Sequence, residues 1–118
     1  MNLEHIQSII TRFSSERGWE KHHTPKNLVM ALSGEVGELN EIFQWLSEEE
    51  SQNLPDEVRE HTQEEIADIA VYLIRLCMKL DIDLEAAIVD KMAKNEAKYP
   101  IDRVKGMDKK RLFLAKRE

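Results

Sequence analysis

Two pairs of carboxylates have the spacing that chemistry on a helix surface requires. Glu35 and Glu38 form one pair, and Glu65 and Asp68 form the other. Side chains three residues apart are neighbours on a helix, so each pair could hold one ion or one substrate group. In a chain with 23 acidic residues such pairs also arise by chance, and a solvated charged face is their ordinary interpretation.

The position of the pairs on their helices favours a functional interpretation. At about 100° per residue, Glu35 lies at the edge of the apolar stripe of its helix. Trp45, one heptad after Glu38, projects in nearly the same direction, and Tyr72 stands beside the second pair in a similar way. If the two helices pack antiparallel, we expect the four carboxylates to converge.

Four converging carboxylates repel one another and are costly to desolvate, so they require a cation. Oxygen ligands without nitrogen or sulfur suit Mg²⁺, or Mn²⁺, better than zinc. Because Mg²⁺ keeps several waters and binds substrate phosphates, the pattern indicates phosphate chemistry.

Amphipathic helices must position these residues. Thr24 and Pro25 mark the expected start of the second helix, and Asp83 is the expected N-cap of the fourth. A capping-box spacing makes Thr62 a second candidate start, or a break, in the third helix. Apolar spacing predicts an all-α subunit, a four-helix bundle, with helices over about residues 3–17, 24–46, 55–80 and 83–99. Residues 47–53 are expected to form a loop.

The third helix has apolar residues on two sides, which predicts burial against the chain and against another subunit. Its main apolar stripe consists of Ile66, Ala70, Leu73, Cys77 and Leu80. A second apolar strip on another side consists of Val71 and Met78.

Length and composition limit the function classes. The 118 residues predict a single domain over residues 1–118, with a core at about 3–100 and a basic tail at 101–118. A net charge of −6 argues against nucleic acid as a partner. The single cysteine, Cys77, excludes a disulfide framework and favours the cytoplasm. No signal peptide and no membrane span is expected.

Four further residues admit two interpretations each. Lys91 and Asn95 occupy apolar-face positions of the fourth helix, where they either bind phosphate or simply mark an exposed face. Trp19 is more often a core residue than a ligand contact, and His23 is more often a surface residue.

These motifs resemble the MazG-like all-alpha NTP pyrophosphohydrolases. The family pattern is E-x-x-E, a spacer of variable length (here residues 39–64), and E-x-x-D. The dCTP pyrophosphatase branch is the most similar, and the resemblance covers about residues 6–100. The segments that carry it are Glu16-Arg17-Gly18-Trp19, His23, Pro25-Lys26-Asn27-Leu28, Gly34-Glu35-Val36-Gly37-Glu38-Leu39, Phe43-Gln44-Trp45, Glu64-Glu65-Ile66-Ala67-Asp68, Tyr72-Leu73, Asp83-Leu84, Lys91, Asn95 and Tyr99-Pro100.

The resemblance implies a Mg²⁺-dependent hydrolysis between the α and β phosphates of a nucleoside triphosphate, in homodimers or homotetramers with sites completed across subunits. The implied metal ligands and catalytic residues are Glu35, Glu38, Glu65 and Asp68. The implied substrate-binding residues are Trp19, His23, Trp45 and Tyr72 at the base and sugar, and Lys91 and Asn95 at phosphate. Glu38 is our choice of general base.

Three alternatives remain. A non-catalytic helical interaction module explains the amphipathic helices but not the carboxylates at the core edge. A di-iron bundle needs a Glu-x-x-His motif on each of two helices, and the chain offers only Glu20-Lys21-His22-His23 in an expected loop. A related enzyme could instead act on dUTP or phosphoribosyl-ATP.

Overall fold

The computed structural model describes residues 1–108 and residue 114, and these residues contain no strand. The all-α class is therefore confirmed. The chain divides into two compact units, Met1–Ile82 and Asp83–Glu118, while the single domain predicted over residues 1–118 stays a prediction. The first unit holds α1 (Leu3–Glu16), α2 (Pro25–Phe43), α3 (Glu48–Ser51) and α4 (Asp56–Lys79), and the second holds α5 (Leu84–Lys98) and α6 (Ile101–Val104).

Side-chain caps fix the starts of two long helices where the sequence predicts them. The Thr24 hydroxyl accepts a hydrogen bond from the backbone N–H of Asn27 at 3.3 Å, with Pro25 at the first helical position. The Asp83 carboxylate accepts one from the N–H of Ala86 at 3.0 Å. Both helices therefore begin as predicted.

Two local predictions were wrong. Residues 47–53 are not a plain loop, because Ser47 and Glu50 form a reciprocal capping box that starts the one-turn helix α3. No break occurs at Thr62, because its hydroxyl donates to the carbonyl of Val58 at 2.7 Å inside the continuous helix α4. Of the predicted tail, Ile101–Val104 forms α6, and residues 109–113 and 115–118 lie outside the described residues.

The end of α1 sets the start of the loop of residues 18–24, called here the 18–24 loop, which includes the 3-10 turn Glu20–His22. Gly18 has a positive φ of 66°. Its N–H donates to the carbonyl of Ser15, and the next N–H, of Trp19, donates to Ser14. This is a Schellman motif, which places Trp19 beside the last turn of α1.

The interior of the first unit is small and half polar. Its buried apolar residues are Ile10, Leu28, Ile74 and Cys77, and its buried polar residues are Ser14, Thr62, Glu65 and Arg75. A core of this size stabilises a chain only modestly, because burial of apolar area supplies most of the favourable free energy.

The predicted core stripe of α4 is largely exposed. Ile66 is 54% exposed, and Leu73 and Leu80 are also exposed, whereas Cys77 is buried. The reason is that α2 packs against the side of α4 that carries Glu65, and one helix covers only one side of its neighbour. Much of the apolar surface of α4 is thus left uncovered by the residues that the structure describes. Among the described residues, no helix has the length and apolar character needed to cross a membrane.

Gly34 lies inside α2, where an added Cβ would meet no heavy atom within 4 Å. Close packing within the chain therefore does not explain this glycine. Gly34→Ala should raise the free energy of unfolding of the metal-free protein by up to about 1 kcal/mol, because alanine loses less backbone entropy in a helix. Urea unfolding in EDTA measures this, and a lower free energy in the variant would contradict it.

Candidate functional site

Helices α2 and α4 run antiparallel and bring distant carboxylates together. Contacts pair residue 23 with residue 75 near one end, and residue 35 with residue 65 further along. The pairing order is opposite along the two helices, so the condition for convergence of the carboxylates is met. Ligand oxygens of Glu35, Glu38 and Glu65 all lie within 4.8 Å of one another.

The cluster contains buried oxygens without donors. Oε2 of Glu35 and Oε2 of Glu65 are both buried and have no hydrogen-bond partner among the described residues. The other oxygen of Glu65 lies 3.4 Å from Nε2 of His61, one turn earlier on α4. Buried polar atoms without partners are costly, so a cation in this cluster would remove a penalty that the protein otherwise carries.

Electrostatics place Asp68 close enough to act on the cluster. The pKa of Glu35 is raised to about 7, first by a hydrogen bond with Glu65, then by burial and by the negative charges of Glu38 and Asp68. Each of these neighbouring groups disfavours a negative charge on Glu35.

The donor set fits a hard divalent cation. Every candidate ligand atom is a carboxylate oxygen, and the two partnerless oxygens are those that a cation would bind. Mg²⁺ and Mn²⁺ prefer such oxygens, whereas zinc prefers sulfur and nitrogen ligands. The residues present therefore fit Mg²⁺.

A cleft of about 230 Å³ lies beside the cluster. Four of the predicted site residues line it, namely Trp19, His23, Asp68 and Tyr72. Trp19 meets Phe13 and His23 edge to face, with centroids 5.5 Å and 6.3 Å apart. A cleft with aromatic side chains and an acidic residue is suited to a ligand whose flat ring contacts the aromatic rings while its phosphates bind a metal ion.

The remaining predicted residues are not among those that line this cleft. Trp45 follows the end of α2 and is 86% exposed. Lys91 and Asn95 both lie on α5 in the second unit, where Lys91 is exposed and Asn95 is half-buried. Their roles stay predictions.

Sequence reasoning missed Phe13 and Arg75, which also line the cleft. For Arg75 a signal exists, because Asp68, Tyr72 and Arg75 are spaced by four and three residues and so share one helix face. For Phe13 the signal is absent, because an aromatic residue in an apolar stripe is indistinguishable from core.

Comparison with known proteins places the chain in a family. The sequence model of the MazG-like family matches residues 30–111, which include both carboxylate pairs. The chain belongs to the MazG-like family.

The relatives of this MazG-like chain include enzymes. Mouse (Mus musculus) dCTP pyrophosphatase 1 is 42% identical over 106 residues, which cover 88% of this chain and 62% of the mouse protein. The human protein of that name is 42% identical over 100 residues, covering 83% and 59%. The chain thus spans about three-fifths of the length of these curated relatives. A crystal structure of a pyrophosphatase from Archaeoglobus fulgidus DSM 4304 is 44% identical, with a TM-score of 0.80, and covers 85% of this chain and 94% of that one.

The raised pKa of Glu35 predicts a pH-dependent penalty. A carboxyl whose pKa is about 7 in the folded chain and near 4.5 in the unfolded chain destabilises the fold as pH rises from 4.5 through 7. Glu35→Gln should therefore raise the melting temperature in EDTA by several degrees at pH 8, and much less at pH 5. The same variant should lose the stabilisation that Mg²⁺ gives the wild type.

Thermal unfolding at both pH values, with EDTA and with Mg²⁺, measures these effects. Glu64→Gln, at an exposed neighbour of the cluster on α4, is the matched control and should behave like the wild type. Equal melting temperatures of the Glu35→Gln variant and the wild type at pH 8 would show that the cluster carries no repulsion.

Proposed function

We propose that this chain is a Mg²⁺-dependent nucleotide pyrophosphohydrolase, which converts a nucleoside triphosphate to the monophosphate and pyrophosphate. The observation that carries the proposal is the cluster of Glu35, Glu38 and Glu65, with its two buried partnerless oxygens. The names of the relatives, dCTP pyrophosphatase 1 and a pyrophosphatase, support the reaction and favour dCTP or a related deoxynucleotide.

Four carboxylates would hold the metal, namely Glu35, Glu38, Glu65 and Asp68. Mg²⁺, or Mn²⁺ with the same ligands, would supply neutralisation of the triphosphate charge and activation of water. The protein's contribution is to fix the carboxylates on two packed helices, so that little reorganisation is needed when substrate binds.

Glu38 is the proposed general base. It is the exposed member of the cluster, whereas Glu35 and Glu65 each have a buried oxygen. In the reaction the oxygen of a water attacks the α-phosphorus, and its proton passes to the Glu38 carboxylate. The bond from the α-phosphorus to the bridging oxygen breaks, and pyrophosphate leaves with that oxygen.

The base and sugar would bind in the cleft of Trp19, His23 and Tyr72, beside Asp68 at its acidic edge. Stacking on aromatic rings does not distinguish one base from another, so the polar groups of the cleft must select the base. Lys91 and Asn95 would bind phosphate oxygens through a cation and an amide donor. Trp45 would contact the base or sugar in the assembled oligomer.

We also propose a homo-oligomer of four-helix subunits, a tetramer or a dimer, in the cytoplasm. The exposed apolar stripe of α4 (Ile66, Leu73 and Leu80) and the small interior of the first unit support assembly, because an uncovered apolar stripe gains free energy from a partner. The free buried thiol of Cys77 is compatible with a reducing compartment.

Two other functions give different results in one assay. A non-catalytic interaction module would release no pyrophosphate, and relatives acting on dUTP or phosphoribosyl-ATP would prefer those substrates. Pyrophosphate release should be measured from a panel of dNTPs, NTPs and phosphoribosyl-ATP, with Mg²⁺ and with EDTA. We expect release only with Mg²⁺ and fastest with dCTP, and no release from any nucleotide would overturn the proposal.

Glu38→Gln should reduce kcat by at least about a hundredfold, the usual contribution of a general base. Its melting temperature should not fall below that of the wild type, because Glu38 is exposed and its negative charge adds to the repulsion in the cluster. Glu57→Gln is the control, because Glu57 and Glu60 have the same spacing outside the cluster and the variant should keep full activity. Retained activity in Glu38→Gln would remove Glu38 from the catalytic residues.

A further inference from the structure

A second group of charges lies at the far end of the cleft from the carboxylate cluster. Arg75 of α4 is 4% exposed, and its guanidinium pairs through Nη2 with Oε2 of Glu20 in the 18–24 loop. Its Nε donates to Nδ1 of His23 at 3.3 Å. Lys79, one turn further along α4, donates to the same Glu20 oxygen at 2.8 Å.

These contacts join parts of the chain that are 52 and 59 residues apart. The 18–24 loop has only a single 3-10 turn of its own, so its position depends on what it touches. The Schellman motif fixes one end at Trp19, and the pair with Arg75 fixes the other at Glu20 and His23. A buried guanidinium without its partners is costly, so the loop and α4 hold each other in one arrangement.

The contact with Arg75 also determines the tautomer of His23. A guanidinium Nε always carries a hydrogen and only donates, so Nδ1 of His23 must accept. The ring proton is then on Nε2, and the neutral ring offers a donor there. The pKa of His23 is lowered by burial and then by the charge of Arg75, which favours the same neutral ring.

We propose that Arg75 is a positioning residue for base recognition: it holds His23 as the Nε2–H tautomer and fixes the position of the 18–24 loop, which carries Trp19. His23, which lines the cleft, then offers its Nε2–H as a donor, and this donor fits an acceptor on the edge of a nucleobase, such as a pyrimidine carbonyl. The nature of the ligand rests on the proposed function, whereas the tautomer and the loop position do not.

The tautomer can be measured without substrate, by ¹⁵N NMR of protein labelled at its four histidines. His23→Gln identifies the His23 signals. In the wild type we expect a protonated Nε2 and an unprotonated Nδ1. In Arg75→Lys, which keeps the charge but not the planar fork that reaches both partners, we expect a mixture of tautomers. A wild-type ring with its proton on Nδ1 would overturn the proposal, whatever the stability of the variant.

The kinetic test separates base recognition from general loss of structure. Arg75→Lys should raise the KM for dCTP by about fivefold, the equivalent of one hydrogen bond, and change kcat less than twofold. The inhibition constant of tripolyphosphate, which has no base, should not change. Arg12→Lys is the control, because Arg12 forms an exposed ion pair with Glu16 away from the cleft.

Equal increases in the KM for dCTP and in the inhibition constant of tripolyphosphate would overturn the proposal in favour of a purely structural Arg75. Absence of any nucleotide turnover would instead refute the proposed function, and the NMR measurement would still decide what Arg75 does to His23.

Discussion

Repulsion between like charges at a helix interface is the constraint on which the rest of this structure depends. Glu35, Glu38 and Glu65 lie within 4.8 Å of one another where α2 packs on α4, and two of their oxygens are buried without partners. A protein interior avoids such an arrangement unless a cation or a proton offsets it. Burial and the neighbouring carboxylates raise the pKa of Glu35, and the set of oxygen donors fits a hard divalent cation. The stability of the fold and the proposed metal site thus depend on one group of atoms.

The same packing explains why α4 buries the polar residues Glu65 and Arg75 while Ile66 and Leu73 stay exposed. Because α2 covers Glu65, Ile66 and Leu73 are only partly covered within the described chain. Further along, Arg75 on the buried side anchors the 18–24 loop and closes the cleft beside the carboxylates. The site therefore uses polar contacts where an ordinary small domain would use its core, and the proposed oligomer supplies the missing apolar burial.

The sequence predicts the parts of this structure that depend on local patterns. Caps at Thr24 and Asp83 and the i, i+3 carboxylates are local, whereas the antiparallel packing of α2 on α4 was only a condition that the sequence could not decide. The buried side of α4 could not be predicted in this way, because both of its sides are apolar in part and only the partner helix decides between them. Phe13 resembles core in sequence. The Glu20–Arg75 contact joins residues far apart in the chain, and the hydrophobic periodicity of a sequence does not indicate such contacts.

Metal binding to the cluster can be measured directly by titrating the protein with Mn²⁺ and following the free ion by electron paramagnetic resonance. We expect saturable binding in the wild type, competition by Mg²⁺, and a large loss of affinity in Glu65→Gln, with Glu64→Gln unchanged. Saturable binding that is equally strong in Glu65→Gln, or no binding at all to the wild type, would contradict a metal centre at the interface of α2 and α4.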